Sequence, residues 1–118
     1  MIQAQPVEVV FHALANPTRR AVVERLARGP AVVSELAEPF EMALPSFLQH
    51  LKVLEDSGLV QSEKVGRVRS VRLVPDQLAP AVHWLTKQHR LWEQRLDQLD
   101  AYVAHMEKED DGSSRNQP

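Results

Sequence analysis

From Ser34 to Val60 the chain reads SELAEPFEMALPSFLQHLKVLEDSGLV, and the second half of this stretch decides the fold. Pro45 opens a helix that runs to about Asp56 and is stopped by Gly58, because proline suits a first helical turn and glycine the turn after the last. At about 100° per residue, Leu44, Phe47, Leu48, Leu51 and Leu54 fall on one face. Pro45, Ser46, Gln49, Lys52 and Val53 fall opposite, with His50 at the margin, so the far face carries hydrogen-bond donors and no acid until its last turn. Before it, Ser34 is placed to cap a short helix beginning Glu35-Leu36-Ala37, which Pro39 limits to about two turns.

Toward the N-terminus, Val7, Val10, Phe11 and Leu14 follow Pro6 at the spacing of a short amphipathic helix. Asn16 and Pro17 then form a cap and a first-turn proline for a second helix, Thr18 to Arg28, closed by Gly29. Pro30 to Val33 reads as a brief extended stretch. Downstream, Leu59 to Val65 and Val68 to Val74 read as two β-branched strands of an antiparallel hairpin around Gly66-Arg67. The hairpin holds Lys64, Arg67, Arg69 and Arg72 toward its tip and second strand, with no acid from residue 64 to 75.

After Pro75 and Pro80, no glycine or proline occurs from Ala81 to about Met106, which predicts one long helix. Its apolar positions form two interlocked heptad series: Leu85, Trp92, Leu99 and Met106 with Val82, His89, Leu96 and Val103. Spacings that alternate four and three describe a seam that packs against a partner helix, and a homodimer is the economical partner. Residues 107–118 read as a flexible polar tail, leaving residues 1–106 as a single domain with its dimerisation helix at about 80–106.

The chain's 118 residues suit one modest core, and 43% hydrophobic with 25% charged residues is ordinary for a globular protein. The N-terminus lacks a basic start followed by an apolar run, so the cytoplasm is the expected compartment. There is no cysteine, which excludes disulfides, thiolate metal ligands and cysteine nucleophiles together. The formal net charge of −2 argues against nucleic acid as a partner. That total misleads, because Glu107, Glu109, Asp110 and Asp111 lie beyond Met106 with only Lys108 and Arg115 to offset them. The preceding part is balanced, and a local basic run acts on phosphates whatever the total is, since exposed charges are screened beyond about 8 Å.

The order helix, helix, short strand, helix, helix, hairpin, long helix is that of a winged helix-turn-helix, mainly α with a small β-hairpin. Here LANPTRRAVVERLARGP from Leu14, SELAEPFEMALPSFLQHLKVLEDSGLV from Ser34 and EKVGRVRSVRL from Glu63 resemble the arsenical-repressor-like (ArsR/SmtB) transcriptional regulators. The resemblance covers roughly residues 8 to 75 in motif and implies a dimeric repressor that binds an inverted-repeat operator in double-stranded DNA. Within a helix-turn-helix the second helix enters the major groove, which assigns base contacts to Ser46, Gln49 and His50, with Lys52 nearer phosphate. Arg67 and Arg69 are assigned to backbone or minor groove, with Lys64 and Arg72 weaker candidates. Arg19 and Arg20 are further phosphate candidates, although by resemblance the second bonds within the fold. Where many relatives have a glycine in the helix-helix turn, a serine cap and a polar residue just before the proline, this chain has Glu41, Ala43 and Leu44, and Leu48 stands where serine is frequent. Leu44 is expected to pack inward.

Metal-sensing relatives place cysteines in the segment that reads Glu35-Leu36-Ala37-Glu38-Pro39 here, so thiolate sensing is excluded. A second family site on the last helix corresponds to Ala81, His83, Gln94 and Asp97, of which only two are ligands. His89 and Glu93, one turn apart, fall short of the three protein ligands a firm zinc site needs. No metal, cofactor or membrane partner is expected, and neither residues nor resemblance names an effector. No catalytic constellation occurs either, so an enzyme is not expected. The competing expectations are a dimeric winged-helix module that binds protein without specific DNA binding, and a His-based metal-responsive regulator.

Overall fold

A computed structural model of the chain describes residues 5–115, with side chains to residue 109. Pro6 stands at the N-cap of helix α1, Val7–Leu14. Helix α2, Pro17–Leu26, starts as expected: the Asn16 side chain accepts from the Arg19 amide at 3.1 Å. Strand β1 is only Ala31–Val32, and helix α3 follows as Val33–Ala37. Ser34 therefore lies inside α3, and Val32 occupies the cap position without a side-chain cap bond. Five residues of helix end before Pro39, whose ring and missing amide preclude continuation.

Helix α4 is Leu44–Asp56, one residue longer at its start than the proline indicated. Phe40, in the connection before it, stacks on Phe47 with ring centroids 5.7 Å apart. That contact ties the α3–α4 turn to the first turn of the reading helix. Phe47, Leu51 and Leu54 are buried, and they meet Val10, Val22 and Leu36 of the first three helices and Val60 and Val71 of the strands in one hydrophobic core. Burying each such side chain contributes about 1.5–3 kcal/mol, which outweighs the weak intrinsic helix preference of so short a set of helices.

Strands β2, Val60–Val65, and β3, Val68–Leu73, form the expected hairpin. β1 adds to it, pairing Ala31 with Val71 and Val32 with Ser70, so the sheet has three antiparallel strands in the order β1-β3-β2. Gly66 has φ 64° while Arg67 does not take positive φ, the pattern of a type II′ turn that matches the right-handed twist of the strands. The fold is the winged helix-turn-helix read from the sequence, mainly α with a small antiparallel sheet and a long C-terminal helix.

Gly58 follows the α4 cap with φ 80°, and a Cβ there would lie 3.1 Å from Oε1 of the buried Gln77. Gly58→Ala should cost about 1–2 kcal/mol through left-handed strain and that contact. Thermal unfolding would then show a midpoint lower by at least about 4 °C; an unchanged midpoint would contradict the packing of Gln77 against this turn.

A 3₁₀ turn at Pro75–Leu78 leads into helix α5, Ala79–Arg115. α5 runs past the expected end at Met106, so residues 107–115 are helical where a flexible tail was read; residues 116–118 lie outside the described residues. Glu107, Lys108 and Glu109 are good helix formers and nothing before them stops the helix. The chain divides after Val82 into two compact units. The physical reason is burial: Ala81 is the last buried residue, and every side chain from Val82 to Glu109 is exposed. No helix among the described residues is long and apolar enough to cross a membrane.

Candidate nucleic-acid interface

The outward face of α4 carries Ser46, Gln49 and Lys52, all exposed. None of the three has a side-chain hydrogen bond or ion pair among the described residues, so their polar groups face solvent. Leu44 is 53% exposed and Leu48 38%, which corrects the expectation that Leu44 packs inward. Only Phe47, Leu51 and Leu54 fit the core, because a 13-residue helix packed on one side buries a narrower stripe than the periodicity drew. The two leucines flank the polar face and widen the surface that α4 offers.

The end of α4 fixes where the hairpin emerges. Ser57 is buried, and its Oγ donates to the Leu54 carbonyl at 2.7 Å and accepts from the Leu59 amide at 3.3 Å. Three residues on, within β2, Ser62 Oγ donates to Glu55 Oε1 at 2.7 Å. These bonds lock β2 to the last turns of α4, so the wing and the reading helix are placed as one piece.

On the wing, Lys64 is directly opposite Arg69 in the β2–β3 register, and Arg67 sits in the turn. All three are exposed and none has an ion-pair partner among the described residues. Like charges opposed across a strand pair are unfavourable for the fold itself. They persist here without an acid to offset them, the arrangement expected of a surface that meets an anion. Arg72, by contrast, donates to Gln61 Oε1 on the neighbouring strand and so has a partner within the sheet.

Arg19 and Arg20 are not free to reach phosphate. Arg19 donates from Nε to the Ala13 carbonyl at 2.7 Å and from Nη2 to the His12 carbonyl at 3.1 Å; Arg20 Nη1 donates to the Leu14 carbonyl at 2.9 Å. The two guanidiniums thus satisfy the open carbonyls at the end of α1, which explains the near-absence of a connection between α1 and α2. His50 is half-buried, with Nδ1 3.0 Å from Arg19 Nη1. Sequence reasoning saw the Arg-Arg pair and the marginal His separately. Only the packing of α1 and α4 on α2 brings them together.

The seam residues Val82, Leu85, His89, Trp92, Leu96, Leu99 and Val103 all lie exposed on α5. His89 Nε2 is 3.4 Å from Glu93 Oε1, and no group of three or more metal-ligating side chains occurs among the described residues.

Residues 14–63 match a helix-turn-helix domain family. Among curated proteins, the chain is 48% identical over 69 residues to the HTH-type transcriptional regulator Rv2034 of Mycobacterium tuberculosis, covering 58% of this chain and 64% of that one. It is 37% identical over 73 residues to the transcriptional repressor SmtB of the same species, covering 62% of this chain and 54% of that protein. The matches thus span less than two thirds of these two relatives' lengths. Among solved structures, an ArsR family transcriptional regulator superposes with a TM-score of 0.70 at 53% identity, over 74% of this chain and 96% of that one. The homodimeric winged helix-turn-helix DNA-binding domain Mb0332 of Mycobacterium bovis superposes at 0.57 with 29% identity, over 70% and 80% of the two chains. Identity above one half along nearly the whole of a solved relative fixes the assignment: the chain belongs to the ArsR/SmtB family of winged helix-turn-helix transcriptional regulators, which are not enzymes.

Proposed function

We propose that the chain is a dimeric DNA-binding repressor that occupies an inverted-repeat operator, with α4 in the major groove and the wing on the adjacent backbone. The observation that carries this is the unneutralised set Lys64, Arg67 and Arg69 on a hairpin tied to α4 by the Ser62–Glu55 bond, together with the exposed polar face of α4. Ser46, Gln49 and His50 contact base edges; Lys52, Lys64, Arg67 and Arg69 contact phosphate or minor groove. The dimer forms through the α5 seam of Val82, Leu85, His89, Trp92, Leu96, Leu99 and Val103. Dimeric assembly of the Mb0332 domain, stated for that protein, supports the same for this chain. Two reading helices related by a two-fold then fall about 34 Å apart, one turn of B-DNA.

Selection of bound duplexes from a random pool, repeated across salt concentrations, tests this. A repressor of this kind enriches an inverted repeat, and its log affinity falls with log salt at about −0.9 per phosphate neutralised. The exposed Leu44 and Leu48 favour a second reading, a module whose α4 face binds protein. No enriched motif and no salt slope would overturn the DNA-binding reading and favour this one. Within the enriched motif, Gln49→Ala should lower discrimination by about tenfold or more at an A·T pair, since a bidentate Gln–adenine contact is worth about 1–3 kcal/mol. Affinity lost uniformly on all sequences would instead assign Gln49 to the backbone.

A further inference from the structure

We propose that Arg19 is the positioning residue for His50: it holds the imidazole in its Nε2–H tautomer, so that His50 presents a fixed donor to an acceptor on a base edge. The proposal rests on the DNA-binding reading above and names what one position of the reading helix recognises.

Every nitrogen of the Arg19 guanidinium is committed. Nε meets the Ala13 carbonyl at 2.7 Å, Nη2 the His12 carbonyl at 3.1 Å and Nη1 the His50 Nδ1 at 3.0 Å. The backbone amide of the same residue is held by Asn16 Oδ1 at 3.1 Å. The planar fork therefore joins the end of α1, the first turn of α2 and the middle of α4, and none of its bonds can shift without loss of another. A guanidinium has donors only, so Nδ1 must accept, and the ring proton of a neutral imidazole then sits on Nε2. Nε2 itself has no partner among the described residues, and His50 lies one position after the exposed Gln49 on α4.

A fixed N–H donor discriminates. In the major groove it suits guanine N7 or O6, adenine N7 and thymine O4, and it opposes the amino groups of adenine and cytosine. An imidazole with freely exchanging tautomers would accept from an amino group nearly as well as it donates. Arg19 thus converts an ambivalent side chain into a one-way reader, without touching the DNA.

Nitrogen NMR of labelled protein without DNA, at about pH 8.5 where free imidazole is neutral, reads the tautomer directly. The wild type should show an unprotonated, hydrogen-bonded Nδ1 and a protonated Nε2. Arg19→Lys keeps the positive charge at the end of α1 but loses the fork, and should show averaging between tautomers. A protonated Nδ1 in the wild type, or identical ring signals in Arg19→Lys, would overturn the role of Arg19. On the duplex that the wild type enriches from a random pool, Arg19→Lys and His50→Ala should each lower discrimination about tenfold at the same base pair of each half-site. The double variant should lose no more than either alone, because the two act as a unit. Losses at different base pairs, or losses that add, would overturn the base-reading role. Should Arg19→Lys fail to fold, as judged by thermal unfolding, the wild-type tautomer and the His50→Ala profile decide between the same outcomes. A pool with no enriched duplex overturns the base-reading role together with the sequence-specific part of the DNA-binding reading, and the NMR result separates that failure from failure of the Arg19–His50 link.

Discussion

Replacing Leu96 and Leu99 together with glutamine is expected to convert the dimer to monomers and abolish operator binding. Both side chains are exposed on α5, Leu96 at 41% and Leu99 at 55%, in a helix of 37 residues whose isolated surface presents one continuous apolar seam. Such a helix is about 55 Å long, and in water its seam would be a patch larger than monomers normally expose. Each leucine buried across a two-fold contributes about 1.5–3 kcal/mol, and a symmetric dimer loses each twice. The expected cost is at least about 6 kcal/mol, a weakening of the dimer of about ten-thousand-fold or more. Sedimentation equilibrium measures this, while circular dichroism checks that residues 5–82 remain folded. An unchanged dimer would place the interface elsewhere. Monomers that still bound the full operator tightly would separate dimerisation from function.

The second large effect is on the wing. Arg67→Gln with Arg69→Gln removes four charges per dimer, and the slope of log affinity against log salt should become shallower by about 3.6. Affinity should fall on every duplex alike, by about a thousandfold at low salt, with the enriched sequence motif unchanged. The free protein should be no less stable, because Lys64 and Arg69 are like charges facing one another across the hairpin. That combination, weaker binding with undiminished stability, distinguishes a DNA-facing wing from a structural one. A changed motif with an unchanged slope would show that Arg67 and Arg69 read bases instead.

The element order was legible because punctuation and periodicity agree along most of the chain. Asn16-Pro17, Pro45 with Gly58, and Gly66-Arg67 mark ends whose geometry depends on local residues, and these ends fall where expected or within a residue. Ser34 misled because a capping side chain is only one solution for a helix start. Here pairing of Ala31 and Val32 with β3 sets the chain direction, and α3 begins at Val33. The end of α5 was misjudged because polar residues after Met106 read equally well as tail or as exposed helix.

The candidate site divides along the same line. Exposed donors on α4 and basic residues at the hairpin tip were visible as pattern, since a helix face and a strand pair follow fixed periods. The sequence by itself therefore determined the winged helix-turn-helix, the absence of thiolate chemistry and the apolar seam of α5. Only the tertiary structure decided which polar groups are available. Packing of three helices brings Arg19 to His50 and both arginines of the pair to the end of α1, and it leaves Leu44 and Leu48 outside the core. The physical reason is that periodicity specifies the direction of a side chain within its own element, whereas a hydrogen bond across thirty-one positions of sequence depends on how elements dock.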